Sequence, residues 1–190
     1  MYYIVTYKGA FGFIKPWTAV RDGETFSQQF LTPSEIEGIE KKLFPELLSV
    51  QGEIKKIKRY KLSCEGIDMQ QETTQTSGWK IKKQSKEMER PKSILVRGVM
   101  LHPTLLLAFE NRKDAETAAR QHICLCRNED ILLSEGDIEE CDEPSFDKKR
   151  GFELRPGKTD QSFLVGYNRF NNNEPMYGWL EINGENAIGR

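Results

Sequence analysis

Thr32-Pro33-Ser34-Glu35-Ile36-Glu37-Gly38-Ile39-Glu40-Lys41-Lys42-Leu43 carries the marks of a helix that starts at a defined residue. Thr32 has the side chain of a cap. Pro33 suits the first helical position, where its missing N–H has no partner to lose, and Glu35 stands three residues after the cap as in a capping box. Ile36, Ile39, Leu43 and Leu47 then recur at helical spacing, one apolar stripe to lay on a sheet. Pro45 bends or ends this first helical segment. Gly38 costs up to about 1 kcal/mol relative to alanine, so its presence points to a close approach of a sheet or a ligand.

Outward from this helix the chain alternates strands and helices. Upstream, Tyr3 to Tyr7 is β-branched and aromatic, a first strand. Gly9-Ala10-Phe11-Gly12-Phe13 breaks it, either to admit a ligand close to the backbone or as a bulge that packs Phe11 and Phe13 inward. Trp17, between Lys15 and Arg21 in a polar stretch, is a candidate for stacking on a base. Downstream, Ile54, Ile57, Tyr60 and Leu62 are interspersed with Lys55, Lys56, Lys58, Arg59 and Lys61. Residues 63–92 are poor in aliphatics and carry Trp79 among Lys80, Lys82 and Lys83, which reads as a long hairpin or an insertion. A stretch of that length without a core of its own is usually either functional or disordered. Order returns with a strand over Ser93–Leu101, a turn at His102-Pro103, and a strand over Thr104–Phe109. An alanine-rich helix from Lys113 to Gln121 and a strand-like His122–Cys126 follow. The order β, α, β, β, α, β is that of ferredoxin-like domains, some of which bind RNA and many of which do not. The Gly-, Asn- and Pro-rich tail from Glu143 onward reads as short strands and loops laid on the same domain.

A chain of 190 residues suits one domain with an appendage. No apolar run approaches the roughly 20 residues of a spanning helix, and the N-terminus has no signal-peptide pattern, so the expected compartment is the cytoplasm. The net charge of −1 is unevenly spread: residues 53–97 hold 12 Lys/Arg against 6 Asp/Glu, and residues 110–147 hold 4 against 12. Such segregation offers one face to phosphates and another to a basic partner, unless both runs are merely solvated. The four cysteines, Cys64, Cys124, Cys126 and Cys141, do not form a disulfide framework. With His122 the last three can be drawn as a zinc site, but Cys124 and Cys126 alternate on a strand without a knuckle turn. No metal and no cofactor are expected.

Phosphate loops, dinucleotide fingerprints, H-E-x-x-H and nucleophile elbows are absent. The two histidines, His102 and His122, lie far apart in sequence, and the carboxylates have no spacing that singles out a catalytic pair. The chemistry reads as binding, not catalysis.

The Gly9-Ala10-Phe11-Gly12-Phe13 segment, the Phe30-Leu31-Thr32-Pro33-Ser34-Glu35-Ile36-Glu37-Gly38-Ile39 helix start and Arg97-Gly98-Val99 followed by Leu105–Phe109 together resemble the CRISPR-associated protein five family. These are small RAMP-type subunits of Cascade surveillance complexes. The resemblance covers about the first 125 residues. It implies an α+β, ferredoxin-like (RRM-like) βαββαβ domain over residues 1–130, a thumb-like basic hairpin inserted at about 63–92, and an irregular extension over 131–190 packed on the same domain. It further implies a subunit that holds the 5′ handle of the CRISPR RNA, caps the backbone, contacts the backbone and large subunits, and meets target DNA only through the complex. The residues expected to face RNA are Lys15, Trp17, Arg21, Lys55, Lys56, Lys58, Arg59, Lys61, Trp79, Lys80, Lys82, Lys83, Arg97 and His102.

One branch of that family also cuts precursor RNA without metal, using a tyrosine just upstream of the Thr-Pro-Ser helix. Here Phe26-Ser27-Gln28-Gln29-Phe30 holds no tyrosine, and glutamine cannot serve as an acid or base. Tyr60 is the substitute to consider. The alternatives to a non-catalytic RNA subunit are thus a metal-independent endoribonuclease and an unrelated ferredoxin-like protein-interaction module.

Overall fold

The structure, a computed structural model, describes residues 1–16, 23–74, 78–168 and 170–183. Trp17 and Arg21 lie outside the described residues. The fold is mixed α+β and built mostly from antiparallel strands.

Strand β1 (Tyr2–Lys8) runs through the main sheet. After the short β2 (Phe11–Gly12) and β3 (Glu24–Phe26), helix α1 spans Pro33–Leu43, as its start signals require. The Glu35 carboxylate accepts hydrogen bonds from the Thr32 backbone N–H (2.6 Å) and the Thr32 hydroxyl (2.8 Å). The Gln28 amide adds a third at 3.3 Å. Burial still pushes the Glu35 carboxyl up, against these three donors. Ile36, Ile39 and Leu43 face inward, and a 3₁₀ turn follows at Pro45–Leu47. Gly38 lies on the exposed side of α1 and an added Cβ would meet nothing within 4 Å, so no close approach of a sheet explains it.

Two long arms come next. The first is β4 (Ile57–Ser63) continued by β5 (Gly66–Thr74); the second is β8 (Ser93–Leu101) continued by β9 (Thr104–Phe109). The register runs from Ile57↔Phe109 to Ser63↔Thr104, and then from Gly66↔Leu101 to Thr74↔Ser93. The two arms therefore form one ribbon, tipped by β6 (Lys80–Ile81) and β7 (Met88–Glu89). His102-Pro103 is not a reversal between paired strands, as the sequence led us to expect. It interrupts one arm, with His102 at φ 44° and a Pro that has no N–H to give to a ladder. The ribbon's outer half leaves the main sheet and forms a smaller one, in which β8 also pairs with β2 and, in parallel, with β3.

Helix α2 (Arg112–Ala119), β10 (Ile123–Cys124), β11 (Ile131–Ser134), β12 (Glu139–Cys141), α3 (Glu143–Asp147), β13 (Gly151–Pro156), β14 (Phe163–Asn168) and β15 (Glu174–Asn183) complete the chain. The main sheet has the order β10-β11-β1-β9-β4-β13-β15-β14, with β12 also on β1. The strand beside β1 is thus Ile131–Ser134 and not His122–Cys126, of which only two residues are extended against β11. The tail extends the sheet as well, through the Phe152↔Leu62 pairing of β13 with β4.

Period-two alternation divides the interior. Val5 and Tyr7 of β1, Tyr60 and Leu62 of β4, and Leu105, Leu107 and Phe109 of β9 pack with α1 and α2 in one core. Ile4 and Ala108 face the other way, onto Phe146 of α3 and Cys141. Gly9 is needed where the chain crosses β11, because a Cβ would sit 2.6 Å from the Ile131 carbonyl oxygen. Phe13 is buried and Phe11 half-buried, the inward packing that the two glycines allow.

Candidate nucleic-acid interface

The basic run 55–61 does not form a phosphate-binding face. Arg59 is 3% exposed and gives a two-pronged hydrogen bond to Glu153 on β13, Nε to Oε1 at 3.0 Å and Nη2 to Oε2 at 2.6 Å. Its Nη1 lies 2.7 Å from Asp147, and Phe146 lies under the guanidinium at 4.7 Å. Lys61 is fully buried, its Nζ donating to the carbonyls of Asp147 (2.7 Å) and Lys149 (2.9 Å), and burial lowers its pKa. Lys56 bridges Glu46 and Asp114, each at 2.9 Å, above the Phe44 ring. Lys58 and Lys55 remain partly exposed, with Glu110 at 3.6 Å and Glu53 at 3.5 Å. Arg59, Lys61 and Lys56 are therefore withdrawn as RNA contacts, because a charge already desolvated against carboxylates or carbonyls has nothing left for a phosphate.

The acidic run is consumed in the same way. Asp114, Glu110, Glu143 and Asp147 face Lys56, Lys58 and Arg59. Elsewhere Glu135 meets Lys8, Glu139 meets Lys149, and Glu140 meets Arg112. The two opposed blocks of the sequence therefore meet in part: four carboxylates of the acidic run face three cations of the basic run, and three more pair with cations outside it. Glu40, which the sequence did not single out, holds the start of β4: buried on α1, its carboxylate accepts from the backbone N–H groups of Lys55, Lys56 and Ile57.

Uncompensated positive charge remains on the ribbon. Residues 78–92 contain six Lys/Arg and two Glu. Trp79 is 64% exposed, and Lys80, Lys82, Lys83 and Lys86 are all exposed; Lys82 has Glu89 at 3.1 Å. At about 3.3 Å per residue, the nine residues of β5 span on the order of 30 Å, and their last three, Glu72–Thr74, pair with β8 beyond the reach of β3 and lead to the tip. Lys80 and Glu89 share one face of the tip, while Ile81 and Met88, both exposed, share the other. Arg97 lies midway, half-buried, with Glu72 at 3.5 Å and the Phe13 ring at 5.6 Å. His102 stands exposed at the ribbon's root, 4.0 Å from Glu65. Lys15 is exposed on the rim of a cavity of about 330 Å³ between α1 and Cys124–Cys126. The structure thus gathers Trp79, Lys80, Lys82 and Lys83 on one element and adds Lys86, while Arg97, His102 and Lys15 lie apart from them.

Tyr60 is buried in the core, its hydroxyl within hydrogen-bond distance of the carbonyls of Leu31 (3.0 Å) and Leu154 (3.1 Å), and burial pushes its phenol well above the usual range. It cannot reach a ribose. His122, Cys124, Cys126 and Cys141 do not converge: among the described residues no three His, Cys, Asp or Glu side chains form a metal-binding group. No described helix is long and apolar enough to cross a membrane. No protein-family model matches the chain, and no curated protein matches it.

Proposed function

We propose that the protein is an RNA-binding subunit of a CRISPR Cascade-type complex, which grips the 5′ handle of the guide RNA with its ribbon and does not cut it. The observation that carries the reading is the projecting tip, where Lys80, Lys82, Lys83 and Lys86, all exposed, follow an exposed Trp79 within seven residues. Cations that track a backbone beside an aromatic ring that accepts a base are the usual elements of single-strand binding. The body supports the same reading. Its central strands run β11-β1-β9-β4, with α1 joining β1 to β4 and α2 leading from β9 towards β11. That order fits a ferredoxin-like domain. The ribbon springs from the β4–β9 pair, where the thumb of the resembling family falls. Binding without cleavage is supported by the burial of Tyr60, by the absence of a tyrosine from Phe26–Phe30 just upstream of α1, and by His102, whose charged neighbour is the Glu65 carboxylate at 4.0 Å.

The test is fluorescence polarisation with a repeat-derived RNA across a salt series. Lys80, Lys82, Lys83 and Lys86 changed together to Ala are expected to weaken binding and to flatten the log–log salt slope by up to about 3, near 0.7 for each lost single-strand phosphate contact. The RNA is expected to stay intact for hours in EDTA. An unchanged slope removes the ribbon from the interface; cleavage that disappears in His102→Ala makes the chain a nuclease.

A further inference from the structure

A second feature suited to RNA lies on the body, away from the cationic tip. The first turn of α1, the loop before β4 and the β14–β15 hairpin enclose a cavity of about 680 Å³. Ile54 and Val165 supply apolar wall, and Ser34, Glu37 and Asn168 bring polar groups to it. Tyr167 and Phe170 line it as well, and both rings are more than half exposed.

The wall is held in place before any ligand arrives. Gly52 has φ +74°, and a Cβ there would stand 2.8 Å from Cδ2 of Phe170, so the ring packs directly against the glycine backbone. The Gly52 N–H donates to Glu37 Oε1 at 3.0 Å, and Lys41 Nζ binds the same oxygen at 2.7 Å. The Phe170 N–H donates to Asn168 Oδ1 at 3.0 Å, which engages that oxygen and leaves the amide N–H₂ as a donor. An exposed aromatic ring is thus fixed beside an open cavity by contacts that involve only its own wall.

We propose that this cavity takes one unpaired nucleobase of a bound RNA, stacked on Phe170, with its polar edge turned to Ser34, Glu37 and Asn168. A base matches the mixture of ring face and convergent donors and acceptors, whereas a hydrocarbon ring from a protein partner would leave those polar groups desolvated and unpaired. A phosphate fits poorly. The hydrogen bond from Lys41 holds the Glu37 carboxyl below its usual range, so this carboxylate is anionic at neutral pH and Lys41 is engaged with it. Glu37 as an acceptor favours bases with an exocyclic amino group, adenine, cytosine or guanine, over uracil. The inference rests on the RNA reading above for the source of the base.

Saturation-transfer NMR with adenosine, cytidine and uridine is the direct experiment, because free nucleosides lack the phosphates that the ribbon would hold. Transfer from adenosine and cytidine is expected in the wild type and lost in Phe170→Ala, with circular dichroism to check the fold. Tyr167→Ala, at an exposed ring, is the second variant should the first unfold. In the polarisation assay Phe170→Ala is expected to weaken RNA about five- to hundred-fold, the range of one lost base stack, with the salt slope unchanged. RNA bound equally by wild type and Phe170→Ala, with no nucleoside transfer, overturns the cavity and leaves the ribbon standing. No RNA binding by any form overturns the function itself. Displacement only by N-acetyl-tryptophanamide assigns the cavity to an aromatic side chain of a protein partner and also sinks the proposal.

Discussion

Arg59→Ala is expected to unfold the protein more readily by about 3 kcal/mol while leaving RNA affinity and its salt slope unchanged. Removing one member of a buried ion pair typically costs about 3–5 kcal/mol, because the surviving charge is left desolvated. Here the survivor is Glu153, 2% exposed, which would lose both prongs of the guanidinium. Two observations place the value at the low end of that range. Asp147 and Glu143, the other carboxylates near Arg59, are 44% and 63% exposed at their side chains and can turn to water. Arg155 Nη1 lies 3.7 Å from Glu153 Oε1 and leaves that carboxylate one cation.

The measurement is urea unfolding followed by circular dichroism. With m near 2 kcal/mol/M, the midpoint should fall by about 1.5 M. Arg59→Met combined with Glu153→Met should recover most of the loss, because a well-packed apolar pair often replaces a buried ionic one at little cost. Phe146 under the guanidinium already provides an apolar floor for it. A loss below 1 kcal/mol in Arg59→Ala, accompanied by weaker RNA binding and a flatter salt slope, would refute the reasoning and return Arg59 to a phosphate-facing role.

Two further outcomes follow from the same structure. Gly38→Ala should stabilise the protein by about 0.5–1 kcal/mol, the helix-propensity gain at an interior helical position, since the new Cβ meets nothing within 4 Å; a loss of stability in thermal or urea melts would reveal a contact there. Native alkylation read by mass spectrometry should label Cys126, which is exposed, first. Cys64 and Cys141 should stay protected until unfolding, because burial hides both and pushes their thiols up, which lowers the reactive thiolate fraction at a given pH. Early labelling of Cys141 would mean that β12 opens from β1.

The parts of the fold legible in the sequence are those decided within a few residues. The start of α1 depends on Thr32, Pro33 and Glu35, which contact one another, and the structure keeps that arrangement. The apolar runs Ser93–Leu101 and Thr104–Phe109 were legible as strands for the same reason, but their pairing was not. A break such as His102-Pro103 looks alike in sequence whether the chain reverses there or runs on, and only the partner arm, some 20 to 50 residues earlier in the chain, decides between the two. The tail strands were obscured further, since β13 joins the sheet through Leu62, 90 residues away.

The candidate site followed the same division. Counting charge along the chain treats Lys55, Lys56, Lys58, Arg59 and Lys61 as one patch, but side chains in a strand alternate between faces. Arg59 and Lys61 turn to α3 and β13, whereas Tyr60 and Leu62 turn to the helices. A strand that can bury two cations on one face must have carboxylates and carbonyls waiting there. Glu153, 94 positions from Arg59, is supplied by β13, which could not be read as a partner until its place in the sheet was known. On the ribbon tip the same alternation has the opposite consequence. Beyond Thr74 no further layer covers the ribbon in the described residues, so both faces of β6 and β7 stay exposed and most of the tip charge meets solvent. Charge density in the sequence therefore marks a phosphate-binding surface only where the fold has no second layer to neutralise it, and the ribbon tip meets that condition while β4 does not.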